Sequence, residues 1–305
     1  MPFARFAIFA ACLLLPPVLS AQSSPLKIFI SVDLEGIDGV VHADQADVHG
    51  SEYGRARKLM LEEVNSAIDG AVAAGATEIL VNDSHSTHRN LFIEDLRPPA
   101  HLISSSIKPW GMMQGLDSSF AGVIFIGYHA RAGSPVGVLA HTGTGAVADL
   151  KINGVRVGES GMNTFYAASY GVPVLVLSGD DVAVAQLREV VPDVEAVAVK
   201  QSIGSRAAEF RPTKEVHAEI RSTVEHAIRN RAIHKLLAIK APFTFELAYH
   251  SPALADMAEG IPTVKRTGPA AISYQADDYR AGYRLLRILY ANLGGSIEPG
   301  TPSKP

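Results

Sequence analysis

Asp33 and Glu35 follow the apolar run Ile30-Ser31-Val32, His85 follows the run Glu78 to Ser84, and His129 follows Val123 to Tyr128. Each of three strand-like segments thus runs into a carboxylate or an imidazole. Carboxylate oxygens and imidazole nitrogens together suit zinc and related divalent ions. Residues two apart on a strand project from one face, so Asp33 and Glu35 can address one ion, and Gly36 and Gly39 let the backbone turn close to it. Glu159, in Val157-Gly158-Glu159-Ser160-Gly161, opens a helical pattern, where a carboxylate either complements the helix dipole or faces a metal. Together Asp33, Glu35, His85, His129 and Glu159 bring three negative charges. That is more than one catalytic zinc takes, and it suits two divalent ions with Asp33 as the economical bridge.

His141 is expected to reach the same site. It ends the run Val136 to Ala140, which reads as a strand, and precedes the flexible Thr142-Gly143-Thr144-Gly145. Its expected work is proton transfer or stabilisation of a tetrahedral intermediate. His88 lies in a polar loop and is read as outside the ligand set. A calcium-binding EF-hand starting at Asp33 is excluded, because Ile37 and Asp38 stand where a ligand and a glycine are required. The glycines at 143 and 145 lead to the strand-like Leu150-Lys151-Ile152 rather than to a helix, which excludes a dinucleotide loop. No G-x-S-x-G element is present.

The elements that must position these residues alternate between strands and helices. Strands are expected at Leu26 to Val32, Glu78 to Val81, near Leu102, and at Gly122 to Ile126, Val136 to Ala140, Leu150 to Ile152, Val172 to Leu177 and Ala196 to Val199. Helices are expected from Ser51 to Ala74, after Gly158, and from an Asp180 or Asp181 cap to Pro192. The first carries an apolar stripe of Ala56, Met60, Val64, Ala67, Ile68, Ala71 and Val72. This alternation predicts an α/β fold with a mostly parallel sheet flanked by helices over residues 22–205. The carboxyl ends of such strands are where ligands bind, so three distant strand ends can share one site. The rhythm then changes to a helix with Val216, Ile220, Val224 and Ile228, strands around Phe243 to Ala248 and Ala270 to Tyr274, and a helix from Asp277 to Leu293. This predicts a smaller C-terminal α+β unit over 206–293, followed by a flexible tail at 294–305.

The 305 residues are 47% hydrophobic and 19% charged, with a net charge of −4. A mildly acidic balance without a basic stripe argues against nucleic acid. Residues 1–21 carry Arg5, an apolar run from Phe6 to Leu15, and the small residues Ser20 and Ala21, which is the pattern of a cleaved secretory signal peptide. The run is about half the roughly 20 residues that span a bilayer. An exported, periplasmic or secreted chain without a stable membrane insertion is therefore expected. The only cysteine, Cys12, would leave with the signal.

The motifs Ser31-Val-Asp-Leu-Glu-Gly36, Val81-Asn-Asp-Ser-His-Ser86, Gly127-Tyr-His-Ala-Arg131 and Val157-Gly-Glu-Ser-Gly-Met-Asn163 resemble those of the zinc-dependent D-aminopeptidases of the DppA type, from about Lys27 to Lys200 and more weakly to Asn292. The resemblance implies two Zn2+ per subunit on Asp33, Glu35, His85, His129 and Glu159, with Asp33 shared. It implies that His141 is the catalytic histidine, which the family describes as a nucleophile. It also implies hydrolysis of short peptides that begin with a D-amino acid, D-Ala in the first place, and a ring-shaped homodecamer. With a metal-activated water available, acid/base or electrostatic work is expected of His141. The rival readings are a two-metal amidase or esterase of other specificity and an exported metal- or solute-binding protein.

Overall fold

The computed structural model describes residues 25–292, together with Met1. The signal segment with Cys12 and the tail at 294–305 lie outside the described residues.

The strands are β1 (Lys27–Val32), β2 (Glu78–Asp83), β3 (Ala100–Ile103), β4 (Gly122–Tyr128), β5 (Val147–Ile152), β6 (Val155–Arg156), β7 (Val174–Asp180), β8 (Glu195–Gly204), β9 (Ala207–Phe210), β10 (Phe243–Tyr249), β11 (Lys265–Gly268) and β12 (Ala271–Ala276). The helices are α1 (Ala43–Ala46), α2 (Tyr53–Ala73), α3 (Glu159–Ser169), α4 (Asp181–Val190), α5 (Thr213–Arg229), α6 (Pro252–Ala258) and α7 (Tyr279–Arg287). A seven-stranded sheet runs in the order β3-β2-β1-β4-β7-β8-β9, and every neighbouring pair is parallel except β8 and β9. This is the expected mostly parallel α/β sheet. A second, antiparallel sheet has the order β11-β12-β10-β5-β6.

The strand sequences explain the layering. Alternate residues of a strand face opposite sides, and β1 and β4 are apolar on both. Ile28, Ile30, Ile124 and Ile126 join the core beneath α2 and α5, whereas Phe29, Val123 and Phe125 join the core shared with α3 and the second sheet. Strands buried on both faces read as continuous apolar runs, which is why they are visible in sequence. On α2 the residues Ala56, Met60, Val64, Ala67, Ile68 and Ala71 are buried as their spacing predicts, but Val72 is exposed. The second sheet takes β5 and β6 from between β4 and α3, while α5, beyond residue 205, packs on α2 of the larger sheet.

One expected strand is absent. Val136 to Ala140 forms a loop, because Gly133, Gly137, Leu139 and Gly143 all take positive φ (74°, 144°, 50° and 73°). A ladder does not tolerate that backbone. The alternation of small and apolar residues there imitates a strand, and turn geometry overrides it. The expected last helix also divides, into α7 with Asp278 as its N-cap and a π-helical turn over Ile288–Asn292.

Candidate metal centre

Strands β2, β1 and β4 are neighbours and run the same way, so their carboxyl ends open side by side. Beyond β1 the chain keeps following β4: Asp33 N–H donates to Ile126 O at 2.8 Å and Gly36 N–H to Gly127 O at 2.8 Å. This close approach needs glycine. A Cβ on Gly127 (φ 71°) would stand 2.3 Å from Asp33 O, and one on Gly36 would stand 1.9 Å from Tyr128 O. Past Glu35 the loop is fastened from below by Lys200 of β8, whose buried ammonium donates to the carbonyls of Glu35 (2.6 Å), Ile37 (2.8 Å) and Val40 (2.6 Å). Glu63 of α2 accepts Asp38 N–H at 2.7 Å, and Gln45 accepts Val41 N–H at 2.7 Å while donating to Gly39 O.

Asp33, Glu35, His85, His129 and Glu159 are all buried and meet at these strand ends. His85 Nδ1 lies 2.9 Å from Glu35 Oε2 and 3.3 Å from Asp33 Oδ1. His129 Nε2 lies 3.5 Å from Asp33 Oδ2 and 3.4 Å from Glu159 Oε2. The two oxygens of Asp33 therefore face two different imidazoles. His141 is brought in by its loop, with its N–H donating to Ala130 O at 3.2 Å. Its ring stacks on His129 at 4.1 Å and 13°, and its Nε2 stands 3.6 Å from Glu159 Oε1.

Each histidine is anchored by its second nitrogen. His85 Nε2 donates to Ala46 O (2.7 Å), His129 Nδ1 to Ala130 O (2.9 Å) and His141 Nδ1 to Leu139 O (2.9 Å). Such a backbone partner fixes the tautomer and orients the free nitrogen, the usual setting of a metal-ligating histidine. Asp33 Oδ2, Glu35 Oε2 and His129 Nε2 are buried without a hydrogen-bond partner among the described residues. Buried polar atoms are seldom left so, and two divalent ions would satisfy all three. Two overlapping sets, Asp33/Glu35/His129 and His129/His141/Glu159, each bring their donor atoms within 4.8 Å of one another. Oxygen and nitrogen donors in this ratio fit zinc.

The electrostatics of the unliganded side chains carry the same message. Burial pushes Asp33 up, aided by the Glu35 charge. Burial also opposes ionisation of Glu159, yet His129 outweighs it and holds the carboxyl down at about 2. His129 in turn resists burial through Glu159 and rises to about 10, and His85 is raised well above its usual range chiefly by Glu35. The anionic site thus draws protons onto imidazoles where a cation would serve.

A cleft of about 960 Å³ opens over Asp33, Glu35, His85, His141 and Glu159. His88 also lines it, with Nδ1 held by Asp83 O at 2.9 Å and its pKa lowered by burial to about 3. Sequence reasoning missed Lys200, Glu63 and Gln45, which act on backbone atoms at long sequence separation, and Arg287 and Tyr290, which enter the cleft from the C-terminal end. A charged residue inside an apolar run, as Lys200 is in β8, was the one available signal.

The family model described as D-aminopeptidase (peptidase family M55) matches residues 26–288. A D-aminopeptidase from Bacillus subtilis (strain 168) is 37% identical over 265 residues, which cover 87% of this chain and 96% of that protein. The solved structure of Zn-dependent D-aminopeptidase DppA from Bacillus subtilis, a self-compartmentalizing protease, aligns with a TM-score of 0.86 at 36% identity, covering 88% of this chain and 98% of that one.

Proposed function

The chain belongs to the D-aminopeptidase family and is a metallo-hydrolase of the aminopeptidase class, and from that premise we propose that it removes the amino-terminal residue of short peptides beginning with a D-amino acid, D-Ala foremost, at a two-zinc centre. The observation that carries the two-ion reading is Asp33, whose carboxylate oxygens face His85 and His129 separately and whose Oδ2 has no hydrogen-bond partner among the described residues. Asp33, Glu35 and His85 would hold one ion, and Asp33, His129 and Glu159 the other. Zinc bound there supplies Lewis-acid polarisation of the scissile carbonyl and a water of lowered pKa.

The chain's own groups do the remaining work. His141 is half-buried at the cleft, and because Leu139 O takes its Nδ1–H, its Nε2 carries the lone pair. It would accept at Nε2 the proton that the attacking water gives up and return it to the leaving amine, and Glu159 stabilises the imidazolium formed in between. The stacked His129 ring keeps this imidazole in place. This role replaces the nucleophilic one that the resemblance implies; an acyl-imidazole trapped during turnover would overturn it. We place the mature enzyme in an exported compartment on the strength of residues 1–21. We further propose a homodecameric ring, a reading supported by the self-compartmentalizing relative. The test compares zinc-loaded wild type and Asp33→Ala on D-Ala and L-Ala p-nitroanilides. D-selective cleavage that disappears in the variant is expected; equal cleavage of both anilides would remove the D-specific reading.

A further inference from the structure

The cleft that holds the carboxylates of the metal centre is also lined by two arginines, Arg206 in the β8–β9 turn and Arg287 at the end of α7. Arg287 is the more constrained. Its Nη1–H donates to the carbonyl of Lys108, and its guanidinium lies on the backbone of Gly111, where a Cβ would come within 2.4 Å of Nε. That Nε is buried and without a partner, and no carboxylate pairs with the group among the described residues. An arginine held in one pose, without a carboxylate partner and lining a cleft, can receive a carboxylate through the N–H donors that Lys108 O and the Gly111 backbone leave free.

Its position relative to the metal centre suits a short peptide. Tyr290, about one helical turn further on, meets Gly143 with its ring, and Gly143 N–H donates to Glu159 Oε1 at 2.7 Å. A dipeptide carries its terminal carboxylate one residue beyond the scissile bond and a tripeptide two, at roughly 3.3–3.6 Å per residue. Arg287 and Tyr290 line the same cleft as Asp33, His141 and Glu159, so one peptide lying in it can meet both the arginine and the metal centre. The charge of Arg287 also reaches His88 on the cleft wall, where it adds to burial and to Lys108 in lowering the imidazole.

Building on the aminopeptidase reading, we propose that Arg287 binds the carboxyl terminus of the substrate, so that the cleft favours short peptides with a free terminal carboxylate over blocked ones. The free amine is received at the metal centre that Asp33, Glu35 and Glu159 would hold, and the terminal carboxylate is bound by Arg287. Arg287 is then a specificity-determining residue that takes no part in proton transfer.

The test uses the zinc-loaded full assembly with D-Ala-D-Ala, D-alanyl-D-alaninamide and D-Ala p-nitroanilide. Wild type is expected to favour the free acid over the amide by roughly 10–100-fold in kcat/KM, the range for a charged hydrogen-bonded contact. Arg287→Gln should remove that preference through KM, leave the amide and anilide within about threefold, and be partly rescued by Arg287→Lys. Wild type that cleaves acid and amide equally would overturn the proposal, as would an equal loss on all three substrates in Arg287→Gln. The amidation comparison needs no variant, so it stands even if Arg287→Gln folds poorly. Failure of the zinc-loaded wild type on all three would instead remove the aminopeptidase reading, and this inference with it.

Discussion

Lys200→Met tests whether the metal loop is organised from beneath. In the wild type the ammonium is 1% exposed and donates to three carbonyls spread over Glu35, Ile37 and Val40. Burial lowers its pKa to about 8, which leaves it charged at pH 7. Hydrogen bonds from a charged donor contribute about 1.5–3 kcal/mol each, so three amount to roughly 5–9 kcal/mol. Removing the ammonium recovers several kcal/mol of desolvation cost, and Met fills nearly the same volume. The net loss is about 2–4 kcal/mol. At fixed chain concentration this corresponds to a fall in Tm of roughly 4–12 °C in the metal-free protein. Because the freed carbonyls flank Asp33 and Glu35, zinc affinity should fall at least about tenfold, which takes about 1.4 kcal/mol of that loss. Calorimetry of the metal-free protein and a competitive chelator titration measure the two effects. A Tm within about 1 °C of wild type would refute the energetics; a lowered Tm with unchanged zinc affinity would refute the claim that Lys200 orders the metal loop.

Gly127→Ala should abolish activity while retaining much of the secondary structure, because its Cβ would displace Asp33 O, 2.3 Å away; circular dichroism paired with zinc content checks this. Glu63 is pushed up to about 8 by burial, so its contribution to stability is fully present below about 4.5 and is lost as pH rises through 8. Glu63→Gln keeps an acceptor for Asp38 N–H and should flatten this fall, which is at most about 1.4 kcal/mol per pH unit, as read by urea unfolding between pH 4.5 and 8. Amino-terminal sequencing of the chain exported by its host should begin near Gln22; a retained Met1 would contradict the signal-peptide reading.

The convergence of Asp33, Glu35, His85 and His129 was legible in the sequence because each follows an apolar, largely buried strand, and such strands announce their ends; Glu159 was read instead from the start of a helical pattern. Those apolar runs also revealed the parallel sheet. His141 was found for a partly wrong reason: the Val136–Ala140 run imitates a strand, whereas positive φ at Gly137, Leu139 and Gly143 folds it back as a loop. Lys200, Glu63 and Arg287 were not legible as parts of the site. Their partners are backbone carbonyls and amides, which carry no residue-type signal, or a cleft that residues from the far end of the chain complete. The separation of β5 and β6 into a second sheet was hidden for a similar reason, since pairing with β10 spans about a hundred residues of sequence.

The central claim is that three strand ends and the start of α3 assemble one two-zinc site that performs the hydrolysis. Titrating zinc into the metal-free enzyme while following both bound metal and cleavage of D-Ala p-nitroanilide tests it most directly. Activity should rise to its plateau only as the second equivalent per chain binds, and Glu35→Gln and Glu159→Gln should each hold one equivalent or fewer with little turnover. Full activity at one equivalent, or undiminished activity in either variant, would contradict the account.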